Sequence, residues 1–283
     1  THTDEKIYIN LPETAMDGDF VSVNIFYNGA PRISNAPPWD CGFVWEQTSS
    51  GDPWIGVACE EEGADIWWPC KDHPTDEPDS MYMSFTVQDP LMCVSNGQYL
   101  GSVSNGNGTS TFSWFISTPI NNYNVSIYAA EYMLIEDKYM STIGDSIPFA
   151  FWVLPEDYTD VFQTEFNFLE SICGPFPFGA DKHGWAHAPY WGMEHQTIIA
   201  YGHNFTTNNW GFDYIHYHEL AHEWYGNLIT AKDWADIWIH EGIATYTEAL
   251  YVEHLSGMDM YHAYMDAMRP GNFHPQPLAP YAN

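Results

Sequence analysis

Two histidines four residues apart stand in the string His218-Glu219-Leu220-Ala221-His222. That spacing has structural force only on a helix. At about 3.6 residues per turn, positions i and i+4 share one face, so both imidazoles can reach a single metal ion. Glu219 is rotated off that line by one residue's turn, where its carboxylate can approach a water beside the metal without becoming a ligand. By composition alone, H-E-x-x-H turns up in roughly a few per cent of chains this rich in His and Glu, so the string needs a further ligand before it defines a site.

Glu241 supplies that ligand. Catalytic zinc usually keeps three protein ligands and one open position. Eighteen residues separate His222 from Glu241, which lies in Trp238-Ile239-His240-Glu241-Gly242 near the start of a second predicted helix. The expected metal set is therefore His218, His222 and Glu241 around one Zn2+ per chain, with Glu219 as the general base. The alternative is two helical histidines bonded to backbone or solvent and a surface Glu241, and the spacing weighs against it.

The fuller string His218–Asn227 (H-E-L-A-H-E-W-Y-G-N), with Asp233-Trp234 and Glu241-Gly242, resembles the gluzincin metallopeptidases of the zinc aminopeptidase N and leukotriene A hydrolase family. Upstream, Gly192-Met193-Glu194-His195 is similar to that family's G-x-M-E-N exopeptidase motif. Cys59-Glu60-Glu61-Glu62-Gly63, Pro69–Pro74 and Val94–Gly97 resemble segments of its N-terminal domain. The likeness runs from about residue 7 to about residue 256, nearly the whole chain. It implies hydrolysis of the first peptide bond of a peptide, with Glu194 and Glu60 holding the substrate's free amine and Gly192 and Met193 lining the site. Two residues depart from the pattern: His195 and His240 each stand where the family usually has Asn. An extra metal ligand at His195 is disfavoured because the set is already complete, and His240 is read as lying behind the ligands or at the surface. Glu248, seven residues after Glu241, faces the same side of its helix and could orient a ligand histidine.

Rival readings share parts of these motifs. A thermolysin-type endopeptidase has the metal site without the G-x-M-E segment, and an epoxide hydrolase of the leukotriene type has every motif. A non-catalytic binding module on the same fold would normally have lost the ligands. The resemblance also implies a chain longer at both ends. A transition-state tyrosine is expected roughly sixty residues beyond the third ligand, past Asn283, so the 283 residues alone are expected to be inactive.

Charge narrows the partners. Lys and Arg number 7 against 38 Asp and Glu, a formal net of −31, which repels phosphate backbones and anionic surfaces and leaves nucleic acid a poor partner. The acids are spread along the chain, which favours adaptation to salt or cold over attraction of cationic substrates. No run of some eighteen apolar residues occurs. The expected partners are peptides with a free N-terminus; the oligomeric state stays open. Four of five cysteines (Cys41, Cys59, Cys70, Cys93, with Cys173 apart) lie in the first third, none in C-x-x-C spacing. One or two disulfides would fit an exported protein, periplasmic or extracellular, which is expected ahead of a cytoplasmic one; buried free thiols fit equally well.

The expected fold class is α+β: an all-β, saddle-like N-terminal domain over residues 1–146, then the front part of a thermolysin-like α/β domain over 147–283. Period-two alternation predicts strands at Lys6–Leu11, Phe20–Tyr27, Met81–Val87 and Tyr123–Tyr128, and Asn105–Ser110 a hairpin tip. Helical spacing predicts helices over Pro155–Cys173, Asp213–Asn227, Trp238–Ser256 and Met258–Met268.

Overall fold

The computed structural model describes residues 2–3, 6–60, 63–155 and 164–269. Residues 1–30 form one unit and residues 31–283 another. In the first, His2–Thr3 pairs antiparallel with Lys6–Ile7. Phe20–Tyr27, predicted to be a strand, forms no ladder, and Phe20 and Phe26 are fully exposed. Alternation makes a strand only where a neighbour supplies ladder hydrogen bonds and covers one face.

The second unit opens with β structure in two sheets. Gly42–Gln47 (β1), Pro53–Ala58 (β2), Ile127–Ala130 (β7) and Met92–Ser95 (β4) lie in the order β1-β2-β7-β4. Met81–Gln88 (β3), Thr109–Ile116 (β6) and Gln98–Ser104 (β5) form a second sheet in the order β3-β6-β5. The β5–β6 hairpin turns at the expected Asn-Gly-rich tip. Tyr123–Tyr128 departs from expectation: Asn122–Asn124 is a single 3-10 turn, and the strand starts only at Ile127. The reason is local, since the Asn121 side chain accepts from the Tyr123 N–H and bends the chain.

A third, mixed sheet carries the site. Its order is β8-β9-β10-β12-β11, with Met133–Met140 (β8), Ser146–Val153 (β9), His183–His187 (β10), Ile199–Tyr201 (β12) and Gly192–Met193 (β11). β9, β10 and β12 run parallel, and antiparallel partners flank them. Ser146 is the first residue of β9 and pairs with Met140, the last of β8, so both strands of this hairpin belong to the third sheet.

Alternation along β9 shows how the sheet joins two cores. Trp152, followed by Leu154, packs with Val57, Trp114 and Tyr128 of the β sheets. Phe149, Phe151 and Val153 pack on the other side with Phe166, Ile215, Leu220 and Val252 of the helices. Fully burying each such side chain contributes roughly 1.5–3 kcal/mol. The helices are Thr164–Cys173 (α1), Tyr214–Ala221 (α2), Trp238–Ser256 (α3) and Met258–Met268 (α4). The predicted start of α1 lies outside the described residues. The helix predicted over Asp213–Asn227 instead stops at Ala221. All five cysteines are free thiols, Cys59 and Cys93 buried.

Candidate metal centre

Helix α2 is short, and both ends are fixed. Asp213 caps its start, accepting from the His216 N–H at 3.2 Å and from the Tyr201 hydroxyl of β12. Ile215, Tyr217, Leu220 and Ala221 are buried against the core, which turns His218 towards a cleft of about 150 Å³. His222 is the C-cap, and the next turn is broken by Tyr225 (φ −116°) and Gly226 (φ +141°). Gly226 is required there by its positive φ.

That broken turn sets a tautomer. It brings the Tyr225 carbonyl to 2.9 Å from His222 Nδ1. A carbonyl only accepts, so Nδ1 carries the proton and Nε2 is left for a metal. His218 is prepared in the same way, its Nδ1 donating to Glu248 Oε1 at 2.6 Å. Glu248 is fully buried in α3 and its other oxygen accepts from the Tyr264 hydroxyl of α4.

Glu241, in the first turn of α3, completes the set. Its oxygens lie 3.2 Å from His218 Nε2 and 3.6 Å from His222 Nε2, which are 3.1 Å apart. One donor atom from each residue falls within 4.8 Å of the others. Two imidazoles with preset tautomers and one carboxylate match the donor chemistry of a catalytic zinc ion. The charges agree: burial works against a charged His218, yet Glu241 and Glu248 raise its pKa well above the ordinary value. Burial also pulls Glu241 upward, but the His222 and His218 rings override it and hold the carboxyl at about 2. Both shifts have one origin, carboxylates that draw positive charge to the gap between the donors, a place where a cation would take over from the imidazole proton. Removing the second-layer carboxylate by Glu248→Ala should weaken zinc binding about 10- to 100-fold in competition with a chromophoric chelator. Unchanged affinity would show that packing alone orients His218.

Glu219 is 7% exposed and lies across β11. A Cβ at Gly192 would stand 2.5 Å from Glu219 Oε1 and 2.6 Å from Ile215 Cγ2, so only glycine lets the carboxylate take this position. Burial, with Glu194, Glu241 and Glu60 adding to it, raises the Glu219 pKa well above the ordinary range despite His218. Met193 follows in β11 and lines the cleft with Gly192.

Glu194 is 4% exposed at the end of β11. Its Oε1 accepts from the Tyr123 hydroxyl at 3.0 Å, and its carbonyl accepts from Asn227 Nδ2 at 2.9 Å. Asn227 Nδ2 also donates to Glu223 Oε2 at 3.0 Å, and Glu223 Oε1 accepts from the Thr197 N–H at 3.0 Å. Glu223 thus ties residues 194–197 to the end of α2. Glu60 reaches the same cleft from just beyond β2, among Pro38, Trp39, Trp191 and Tyr214; Glu61 and Glu62 lie outside the described residues. Every predicted site residue therefore borders one cleft.

The two departures from the family pattern turn away from the metal. His195 is buried, with Nδ1 on the Tyr128 hydroxyl, and burial pushes its pKa down to about 3. His240 is also buried and not at the surface, its Nε2 accepting from the Ala231 N–H at 2.8 Å. Four contributors escape sequence reasoning: Glu223, Asn227, Tyr123 and Tyr264. The first two sit inside the string His218–Asn227, where their four-residue spacing was a usable signal. Tyr123 and Tyr264 have no local signal at all.

Residues 193–274 match the Peptidase family M1 domain. Leucine aminopeptidase 2 of Vanderwaltozyma polyspora is 30% identical over 226 residues, covering 75% of this chain and 32% of that protein. Aminopeptidase N of Haemonchus contortus is 28% identical over 234 residues, covering 71% and 22%. A solved M1 zinc metallopeptidase from Deinococcus radiodurans superposes with a TM-score of 0.68 at 24% identity, over 85% of this chain and 55% of its own. The chain therefore spans about a third or less of the length of these curated relatives. With its donor spacing, its mixed sheet and the M1 match over the metal-site helices, the chain belongs to peptidase family M1, the aminopeptidase N family.

Proposed function

We propose that this chain carries the zinc site and the amine-recognition site of an aminopeptidase. One observation carries the reading: the buried carboxylate of Glu194 and that of Glu60 border the same cleft as the His218, His222 and Glu241 donors. A buried carboxylate is costly unless its charge is compensated, and the Tyr123 hydroxyl that Glu194 accepts from is a neutral donor. Beside a peptide-hydrolysing centre, its natural partner is the ammonium of a substrate's N-terminus.

Residues divide the work by position. When bound, zinc supplies Lewis acidity, polarising a carbonyl and acidifying a water. Glu219, lying across Gly192, is placed to take a proton from an attacking water and to return one to the departing amine. Its raised pKa, caused first by burial, suits a group that must both take and give a proton. Glu194 and Glu60 hold the free amine, so the first peptide bond is the one presented to the metal. The hydrogen bonds from Glu223 and Asn227 to residues 194–197 keep this register fixed relative to α2. An endopeptidase substrate presents no free amine here and would leave the charge of the buried Glu194 carboxylate uncompensated.

Acetylating the substrate's N-terminus tests the reading in the full-length protein. With the ammonium gone, the carboxylates face no cation, and turnover of an acetyl-aminoacyl reporter should fall at least about 100-fold below that of the free-amine form. Equal cleavage of the two would move the protein to the endopeptidase class.

A further inference from the structure

Behind Glu194, a residue that neither motif contains meets its carboxylate. Tyr123 is 1% exposed and its hydroxyl donates to Glu194 Oε1 at 3.0 Å. We propose that Tyr123 is the positioning residue of the amine site, holding Glu194 Oε1 so that the carboxylate meets an incoming ammonium in one fixed orientation. This rests on the reading of Glu194 as the amine-binding group.

The surroundings of Tyr123 are built to place that hydroxyl. Its 3-10 turn is stapled to the segment that carries Glu194. Asn124 Oδ1 accepts from the Gln196 N–H at 3.1 Å, and Asn96 Nδ2 bridges the Asn124 and Gln196 carbonyls at 2.9 and 2.7 Å. Asn96 Oδ1 meanwhile accepts from the Ser126 N–H at 2.8 Å. These bonds tie the residues just after Tyr123 to those just after Glu194, which brings the two backbone segments together.

A second set of contacts fixes the ring. Trp234 meets Tyr123 edge-on at 5.4 Å between centroids, and His240 stacks on it at 6.4 Å with 24° between planes. His240 precedes the ligand Glu241, so the ring that positions the amine site rests on the same helical turn that positions the metal. With its Nε2 held on the Ala231 N–H, the His240 ring serves as an aromatic shelf for Tyr123. The arrangement is a fixed strut between metal helix and amine-binding carboxylate, and a pre-oriented acceptor loses less freedom on binding a cation.

The test is calorimetric binding of an α-amino hydroxamate and of its N-acetyl form to the zinc-loaded full-length protein. Wild type should prefer the free amine. Tyr123→Phe, which keeps the ring and its packing, should bind zinc normally and bind the acetyl compound unchanged. It should lose about tenfold in affinity for the free amine, the scale of one hydrogen bond to a charged group. On a Glu194→Gln background the same substitution should change neither affinity by more than about twofold, because Tyr123 acts through Glu194. Equal loss for both compounds, loss of zinc, or an undiminished effect on the Glu194→Gln background would each overturn the inference in favour of a structural tyrosine. A wild type that discriminates beside a Tyr123→Phe variant that discriminates equally would overturn this inference alone. A wild type indifferent to acetylation would remove the amine-site reading and this inference with it.

Discussion

Glu219→Gln should leave zinc bound at one per chain while hydrolysis of aminoacyl substrates by the full-length protein falls by about three orders of magnitude. The amide is nearly isosteric, and Glu219 is not among the His218, His222 and Glu241 donors, so the metal set is untouched. What is lost is proton transfer, a contribution of typically about 10²- to 10⁴-fold. The carboxylate fits closely against Gly192, where a Cβ would stand 2.5 Å from its Oε1. Near-normal turnover by this variant would remove Glu219 from the mechanism.

His222→Ala should abolish stoichiometric zinc. The residue contributes one of three protein donors, and its Nδ1 link to the Tyr225 carbonyl anchors the turn that ends α2. Losing a direct ligand should weaken binding beyond the roughly 10- to 100-fold expected for an outer partner such as Glu248. Elemental analysis after dialysis reads this directly, with His262→Ala on exposed helix α4 as the control that retains metal. Zinc retained by His222→Ala would show that the ion is held elsewhere.

The metal site was legible in the sequence because its geometry is local. His218 and His222 are related by one helical turn, and α3 starts as expected at Trp238, which brings Glu241 in from its first turn. Glu248 could be nominated for the same reason, seven residues along that helix. The strands Met81–Gln88 and Thr109–Ile116 were legible because each alternates and each has a partner. Phe20–Tyr27 alternates equally well without a ladder, and periodicity cannot report a missing neighbour. The helix over Asp213–Asn227 was expected to continue because Glu223, Trp224 and Tyr225 fit helical spacing, yet Gly226 at positive φ ends it. Tyr123 was out of reach altogether. It meets Glu194 across 71 residues of sequence, and only the stapling by Asn96 and Asn124 brings the two together.

Two overlapping donor clusters share this cleft: His218, His222 and Glu241 form one, and Glu194, Glu219 and His222 the other. The whole account depends on the metal taking the first, because only then is Glu219 free as a base and Glu194 free for an amine. Anomalous diffraction from crystals of the zinc-loaded protein, recorded on either side of the zinc absorption edge, separates them. One peak about 2.0–2.2 Å from His218 Nε2, His222 Nε2 and a Glu241 oxygen is the predicted result. A peak ligated by Glu194 or Glu219 in place of His218 and Glu241 would contradict it.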